Sequence, residues 1–154
     1  MNPCLIRFAR EDDEARVEAI LHQVHALHLA WRPDIYKPCD PVLSHDAFLA
    51  DVSQQHLVVA ELDGAVVGLL AFAHRHVASD TQVTRDVLFI DTIAVDEAHR
   101  GRGIGRQLLD FAKELAHRER LDGVELQVNA RNTAAYAMYR RYGFTEKSIN
   151  MELL

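Results

Sequence analysis

VDEAHRGRGIGRQLL, residues 95–109, places Gly101, Gly103 and Gly105 between a β-like run and a helical one. Upstream, VLFIDTIAV (87–95) reads as a long strand interrupted by one charge, Asp91. Downstream, Ile104, Leu108, Phe111, Leu115 and Ala116 recur at helical spacing and predict a helix over 103–119. Glycines in such a turn let the backbone approach a ligand closely. A helix N-terminus offers unpaired N–H groups to an anion. Phosphate is therefore the expected ligand. The spacing is not GxGxxG, and no Lys-Ser/Thr pair follows, so dinucleotide and nucleoside triphosphate readings fit poorly. These glycines alone leave a plain strand-to-helix turn open as the alternative.

Working outward, VELQV (124–128) alternates as a strand does, and a parallel crossover through the 103–119 helix is expected. Residues 132–142 read as another helix and FTEKSINMELL (144–154) as a last strand. On the other side, HLVVAEL (56–62) and AVVGLLAFAH (65–74) are joined by Asp63-Gly64, a strong hairpin signal because both positions tolerate positive φ. CLIRFAR (4–10) predicts a first strand. Glu11, Asp12, Asp13 and Glu14 then suit the positive end of a helix dipole. Val17, Ile20, Leu21, Val24 and Leu27 carry that helix to about Ala30. Pro33, Pro38 and Pro41 break the next segment into a loop, and a short helix is expected over 44–53, starting at Ser44. The order βααβββαβαβ predicts an α/β fold. It would be one domain over 1–154, a mixed central sheet with helices on both faces.

Composition sets outer bounds. The 154 residues are 49% hydrophobic and 26% charged, ordinary for a globular domain. No apolar run is long enough for a membrane helix. The start, MNPCLIRFAREDDE, reaches acidic residues too soon for a signal peptide. Cys4 and Cys39 form neither a CxxC pair nor a disulfide framework, so a cytoplasmic location is expected. A net charge of −6 argues against a nucleic-acid partner, which would want a basic face. It is compatible with a cationic acceptor, and equally with a solvated acidic surface.

Arg100, Gly103 and Gly105 resemble the R/Q-x-x-G-x-G/A motif of the GCN5-related N-acetyltransferase (GNAT) family. The hydrophobic run Ile93-Ala94-Val95 stands before it as in that family. Asn132, Ala135, Met138, Tyr139, Gly143 and Phe144 resemble the family's N-x-x-A-x-x-[LM]-Y-x-x-x-G-F segment. The element order matches the GNAT-like acetyl-CoA-binding fold over essentially the whole chain. The resemblance implies acetyl-CoA as co-substrate, its pyrophosphate held by the turn Arg100, Gly101, Arg102, Gly103, Ile104, Gly105. It implies further contacts from Ile93, Ala94, Val95 and Asn132, with a backbone N–H of the 93–95 strand end meeting the oxyanion. Relatives are often homodimers, so a homodimer is compatible with it.

Transfer to an amine requires a proton acceptor, because an alkylamine with pKa near about 10.4 is almost wholly protonated at neutral pH. Asp91 breaks an apolar strand, where a carboxylate is expensive unless paired or facing a cleft. The resemblance offers it as the base, while an ion pair or structural partner remains the other reading. Asp91 shares side-chain parity with Ile93 and Val95. Tyr139 lies two helical turns from Asn132 and so shares its face. The resemblance makes Tyr139 the proton donor to the departing thiolate, the alternative being an aromatic that only packs, as Tyr136 and Tyr142 could.

His22, His25 and His28 recur at a spacing that metal sites use. No nearby Cys or carboxylate completes one, so no metal is expected, and the row reads as a polar face or acceptor-pocket lining. His74 and His76 share parity beside the expected cleft. Trp31, Asp34 and Tyr36 sit where the family shapes its acceptor site. The expected function is transfer of the acetyl group of acetyl-CoA to a primary amine of a small molecule or peptide, without membrane or nucleic acid. A non-catalytic acyl-CoA-binding regulatory domain and a transferase for a longer acyl-CoA are the alternatives.

Overall fold

The computed structural model describes residues 4–154, so the N-terminal reading on residues 1–3 lies outside it. A first strand, β1 (Leu5–Phe8), leads through a short 3-10 turn at Glu11–Asp13 into α1 (Glu14–Trp31). After a loop come α2 (His45–Ser53), β2 (Leu57–Leu62), β3 (Ala65–Ser79), β4 (Gln82–Val95), α3 (Ile104–Arg118), β5 (Gly123–Leu126) and α4 (Thr133–Tyr142). Among the described residues no helix is long and apolar enough to cross a membrane.

The strands form one sheet in the order β1-β2-β3-β4-β5, antiparallel except for the parallel β4–β5 pair. Alternation along β2 explains its unbroken apolar run, because both faces are covered. Val58 and Ala60 face α3 and α4, packing with Leu70, Leu88, Ile104, Leu108 and Tyr139. Leu57 and Val59 face α1 and α2, packing with Val17, Ile20 and Phe48. Phe48 is wholly buried, a placement that contributes about 1.5–3 kcal/mol and anchors α2.

The local signals are honoured where they specify backbone geometry. Ser44 caps α2, its side chain accepting from the Ala47 N–H at 3.2 Å. Asp63 and Gly64 take positive φ of 50° and 81° and close the β2–β3 hairpin. The β3–β4 hairpin runs further than the sequence suggests, reaching Ser79 and Gln82 through a tip at Asp80 and Thr81. Its distal half carries polar residues on both sides, which hides the strand period.

The expected strand over 144–154 does not form. Phe144 seats against Tyr139 and Tyr142, with ring centroids 5.8 and 5.9 Å apart. Beyond it the chain is held by side chains, with Lys147 on Glu125 at 2.9 Å and Glu152 on Arg32. Ile149, Met151 and Leu153 are 74%, 85% and 99% exposed, so no face buries the alternation. Periodicity states which side a strand would bury. It does not supply a ladder partner.

Gly68 lies close against both β4 and α3. A Cβ there would stand 3.2 Å from the Ala94 carbonyl oxygen, 3.2 Å from Ile104 Cγ2 and 3.3 Å from Leu108 Cδ1. Gly68→Ala should therefore lose about 1–3 kcal/mol in urea unfolding, because the backbone oxygen cannot move aside. Gly123→Ala, whose nearest neighbour would be 3.9 Å away, is the control and should change little. Equal losses in the two variants would show that close approach at Gly68 is not limiting.

Candidate active site

β4 outlasts its parallel partner. Pairing with β5 ends at Ile90–Leu126, whereas β4 continues to Val95 against β3 alone. Residues 91–95 thus present one backbone edge to the gap beyond β5. At the point of divergence a β-bulge intervenes: Phe72 pairs with Ile90 and Ala71 with Thr92, leaving Asp91 unpaired.

The bulge corrects the parity expected for Asp91. Ile93 and Val95 pack on the α3 side of the sheet. Asp91 interacts instead with Asp51 of α2, His56 and Arg75. Its side chain reaches solvent, yet partial burial pushes its carboxyl above the usual range, against the opposing pull of Arg75 and His56. Asp51 is raised likewise, by burial and by Asp91, while His56 opposes. Arg75 itself lies over the Phe89 ring, 3.3 Å from its centroid.

Past Val95 the chain enters the glycine turn. Gly101 and Gly103 have φ of 78° and 79°, the left-handed region, and nothing lies within 4 Å of where a Cβ would stand on either. Gly103 is the N-cap of α3, and the first turn of that helix carries no acidic residue. Its leading N–H groups therefore face an open side with no carboxylate in that turn to compete for an anion. Gly105 is different: it is helical, and a Cβ there would meet Met138 Cε at 3.6 Å and Val95 Cγ2 at 4.0 Å. The start of α3, the end of β4 and α4 converge at that point. Arg100 and Arg102 are exposed, and the Arg100 Nε–H donates to the Val95 carbonyl at 3.2 Å. The side chains of Ile104 and Ala94 are buried in opposite cores, so only their backbone faces outward chemistry.

A network the sequence did not disclose fastens this turn to α1. The Gln23 amide donates to the Asp96 carboxylate at 2.7 Å and accepts from the Glu97 N–H at 2.9 Å. His99 Nδ1 lies 2.8 Å from the same carboxylate, and Arg16 lies 3.9 Å away. The hydrogen bonds from Gln23 and His99 hold the Asp96 carboxyl below the usual range. Gln23 and Asp96 are far apart in sequence and belong to no motif, so no local signal reveals them.

On α4, Asn132 is the N-cap, its side-chain oxygen accepting from the Ala135 N–H at 3.2 Å. Part of its hydrogen-bonding capacity thus serves the helix. Tyr139 is buried, and burial pushes its hydroxyl up to about 12. No hydrogen bond of that hydroxyl occurs among the described residues. Tyr136 and Tyr142 differ, for their hydroxyls donate to Glu146 and to Asp110.

The histidines find separate partners. His74 contacts Glu119 at 2.7 Å and His76 contacts Asp86 at 2.6 Å on the extended hairpin, so neither lines the gap as expected. His28 stacks on Tyr36 with centroids 4.9 Å apart and meets Trp31 at 5.7 Å, folding the loop against α1. Asp34 pairs with Arg32 at 2.7 Å, chiefly through a hydrogen bond that lowers its carboxyl to about 2. The expectation that no carboxylate stands near the histidine row fails: Glu18 and Asp40 both flank His22.

The chain matches the Acetyltransferase (GNAT) family over residues 21–144. It is 37% identical over 91 residues to an uncharacterized N-acetyltransferase of Methanocaldococcus jannaschii, covering 59% of this chain and 39% of that one. It is 49% identical over 55 residues to the N-alpha-acetyltransferase RimI of Mycobacterium tuberculosis, covering 36% and 33% respectively. The matches thus span well under two thirds of these curated relatives. A mutant of the BH1408 protein from Bacillus halodurans superposes with a TM-score of 0.90 at 27% identity, over 97% of this chain and 98% of that one. The diverging strands, the glycine turn and the family match coincide in one segment, and the chain belongs to the GNAT acetyltransferase family.

Proposed function

We propose that this chain transfers the acetyl group of acetyl-CoA to a primary amine by direct attack. The observation that carries the reading is the gap where β4 outruns β5, which ends in an open glycine turn and the start of α3. Acetyl-CoA, when bound, supplies an acetyl group activated as a thioester. The backbone N–H groups of Gly101, Arg102, Gly103, Ile104 and Gly105 hold its pyrophosphate, with Arg100 bracing the turn against Val95. The free edge of Ile93, Ala94 and Val95 takes the rest of the chain and offers an N–H to the developing oxyanion. Asn132 completes the cofactor side.

Asp91 accepts the proton that the attacking amine must lose, directly or through a water. Its raised pKa makes it a stronger base than an ordinary carboxylate. Tyr139 holds a proton at all physiological pH, and its hydroxyl, engaged by no described residue, can donate it to the departing thiolate. A domain that only bound acyl-CoA would have no use for such a donor, which favours the enzyme over a regulatory binder. The acceptor is an amine of a small molecule or peptide, and a soluble cytoplasmic setting suits the free thiols. A panel of amines with acetyl-CoA, read as free thiol release, tests the proposal. Acetyl-CoA binding without thiol release from any amine would favour the binding-only domain.

Acetyl-CoA should raise the melting temperature by mass action. Gly103→Val should abolish that rise, since it adds a β-branched side chain at positive φ beside the anion site, whereas Gly105→Ala should keep most of it. An undiminished rise in Gly103→Val would place the phosphate elsewhere.

Asp91→Asn should lower turnover at neutral pH and recover partly as pH rises, because free amine then becomes abundant without a base. A rate equal to wild type from about pH 6 to 9 would remove Asp91 from this role.

Tyr139→Phe should lower kcat roughly 10- to 100-fold with acetyl-CoA affinity kept, the low end for a general acid because a thiolate leaves readily. Tyr136→Phe, which loses only a surface contact to Glu146, should be nearly silent. An unchanged kcat in Tyr139→Phe would assign the proton to water or to the acceptor.

A further inference from the structure

On the outer side of α1, three side chains from two elements meet: His22 shares a long hydrogen bond with Asp40, and Glu18 stands one helical turn before it. His22 Nε2 lies 3.3 Å from Asp40 Oδ1 and 3.4 Å from Glu18 Oε1. One ligand atom from each of the three lies within 4.8 Å of the other two. A charge-assisted hydrogen bond would close to about 2.7–2.9 Å. Donors bound at about 2.0–2.2 Å around a tetrahedral ion stand about 3.3–3.6 Å from one another, which matches both contacts of His22.

The support around the cluster is that of a ligand set. Glu18 accepts from the backbone N–H groups of Val42 and Leu43, the latter at 3.2 Å; the Oε1 that takes the Val42 N–H is also the oxygen nearest His22, which fixes it in place with one lone pair to spare. Asp40 comes from the loop, its side chain 87% exposed and free to approach an ion. A cavity of about 410 Å³ adjoins the cluster, lined by His22, His25, Pro38, Cys39 and Asp40, and leaves room for entry and for water at a fourth position. His25 and Cys39 are turned to other partners, the Lys37 carbonyl at 2.7 Å and the Pro41 carbonyl at 3.2 Å. The donors are therefore one imidazole and two carboxylates, a set that suits Zn²⁺.

We propose that Glu18, His22 and Asp40 form a divalent-cation site, suited to Zn²⁺, that fastens the loop over residues 38–43 to α1. The ion ties together two segments that are otherwise joined here by the Glu18 contacts to loop amides and the His25 contact to Lys37. It takes no part in acetyl transfer, so its test is independent of that activity.

The experiment is calorimetric titration of the chelator-treated full chain with ZnCl₂ at neutral pH, beside His22→Gln and Asp40→Asn. Wild type should bind one Zn²⁺ in the micromolar range, and each variant should bind more than about tenfold more weakly. Co²⁺ should give visible absorption bands of a low-coordinate site in wild type, and these should vanish in His22→Gln. Both residues are well exposed, and matching far-UV circular dichroism checks that the variants fold. If wild type takes up no Zn²⁺, or if both variants bind it as tightly as wild type, the proposal is wrong. The second result would assign the ion to another pair such as His76 and Asp86.

Discussion

The continuation of β4 to Val95 after its last pair with β5 is the constraint on which the site depends. A strand inside a parallel sheet spends its N–H and C=O groups on both neighbours. Here one edge of residues 91–95 is released from that duty while the other stays paired with β3. The released edge leads through a short 3-10 turn at Glu97–His99 to the glycine turn and the start of α3. The same divergence hosts the bulge that separates Asp91, which meets Asp51, His56 and Arg75, from the parity of Ile93 and Val95. Leu88 and Ile90 already face α3, so alternation sets Asp91 on the opposite side, and the bulge returns Ile93 and Val95 to the α3 layer.

The turn needs rigidity as well as openness, and α1 supplies it from outside. Gln23 uses both ends of its amide, one on the Asp96 carboxylate and one on the Glu97 N–H. Asp96 also receives His99 and continues the sheet by donating its N–H to the Val67 carbonyl at 2.8 Å. The last residue of the strand path and the first of the turn are thereby fixed to a helix that touches no phosphate. Gly68 performs the corresponding task on the other face, where its missing side chain lets α3 sit down on the sheet. Positioning of the glycine turn is thus shared among residues that no motif contains.

Two aromatic residues on α4 illustrate how similar chemistry is separated by burial. Tyr136 and Tyr139 lie close in sequence and on one short helix. The first is 39% exposed and its hydroxyl is taken by Glu146; the second is buried against Phe144 with its hydroxyl unengaged among the described residues. The N-x-x-A-x-x-[LM]-Y-x-x-x-G-F resemblance singles out Tyr139, but helical spacing alone does not, since either ring could pack. Packing separates the two rings: Tyr139 joins the core under α3 and meets Phe144, while Glu146 reaches Tyr136.

Sequence by itself determined the elements whose geometry is local. Asp63-Gly64 marks the hairpin turn, Ser44 starts α2, and the apolar stripe from Ile104 to Ala116 names the buried face of α3. These follow from φ/ψ sterics and from hydrogen bonds spanning a few residues. Tertiary structure alone decided the rest. It denied 144–154 a ladder, because an alternating pattern cannot show whether an edge is available to it. It overturned the parity of Asp91, because a bulge is fixed by how two strands align rather than by either one. It joined Gln23 to Asp96, and His22 to Asp40, because side-chain reach across a fold depends on which elements pack together. One chain segment cannot record that.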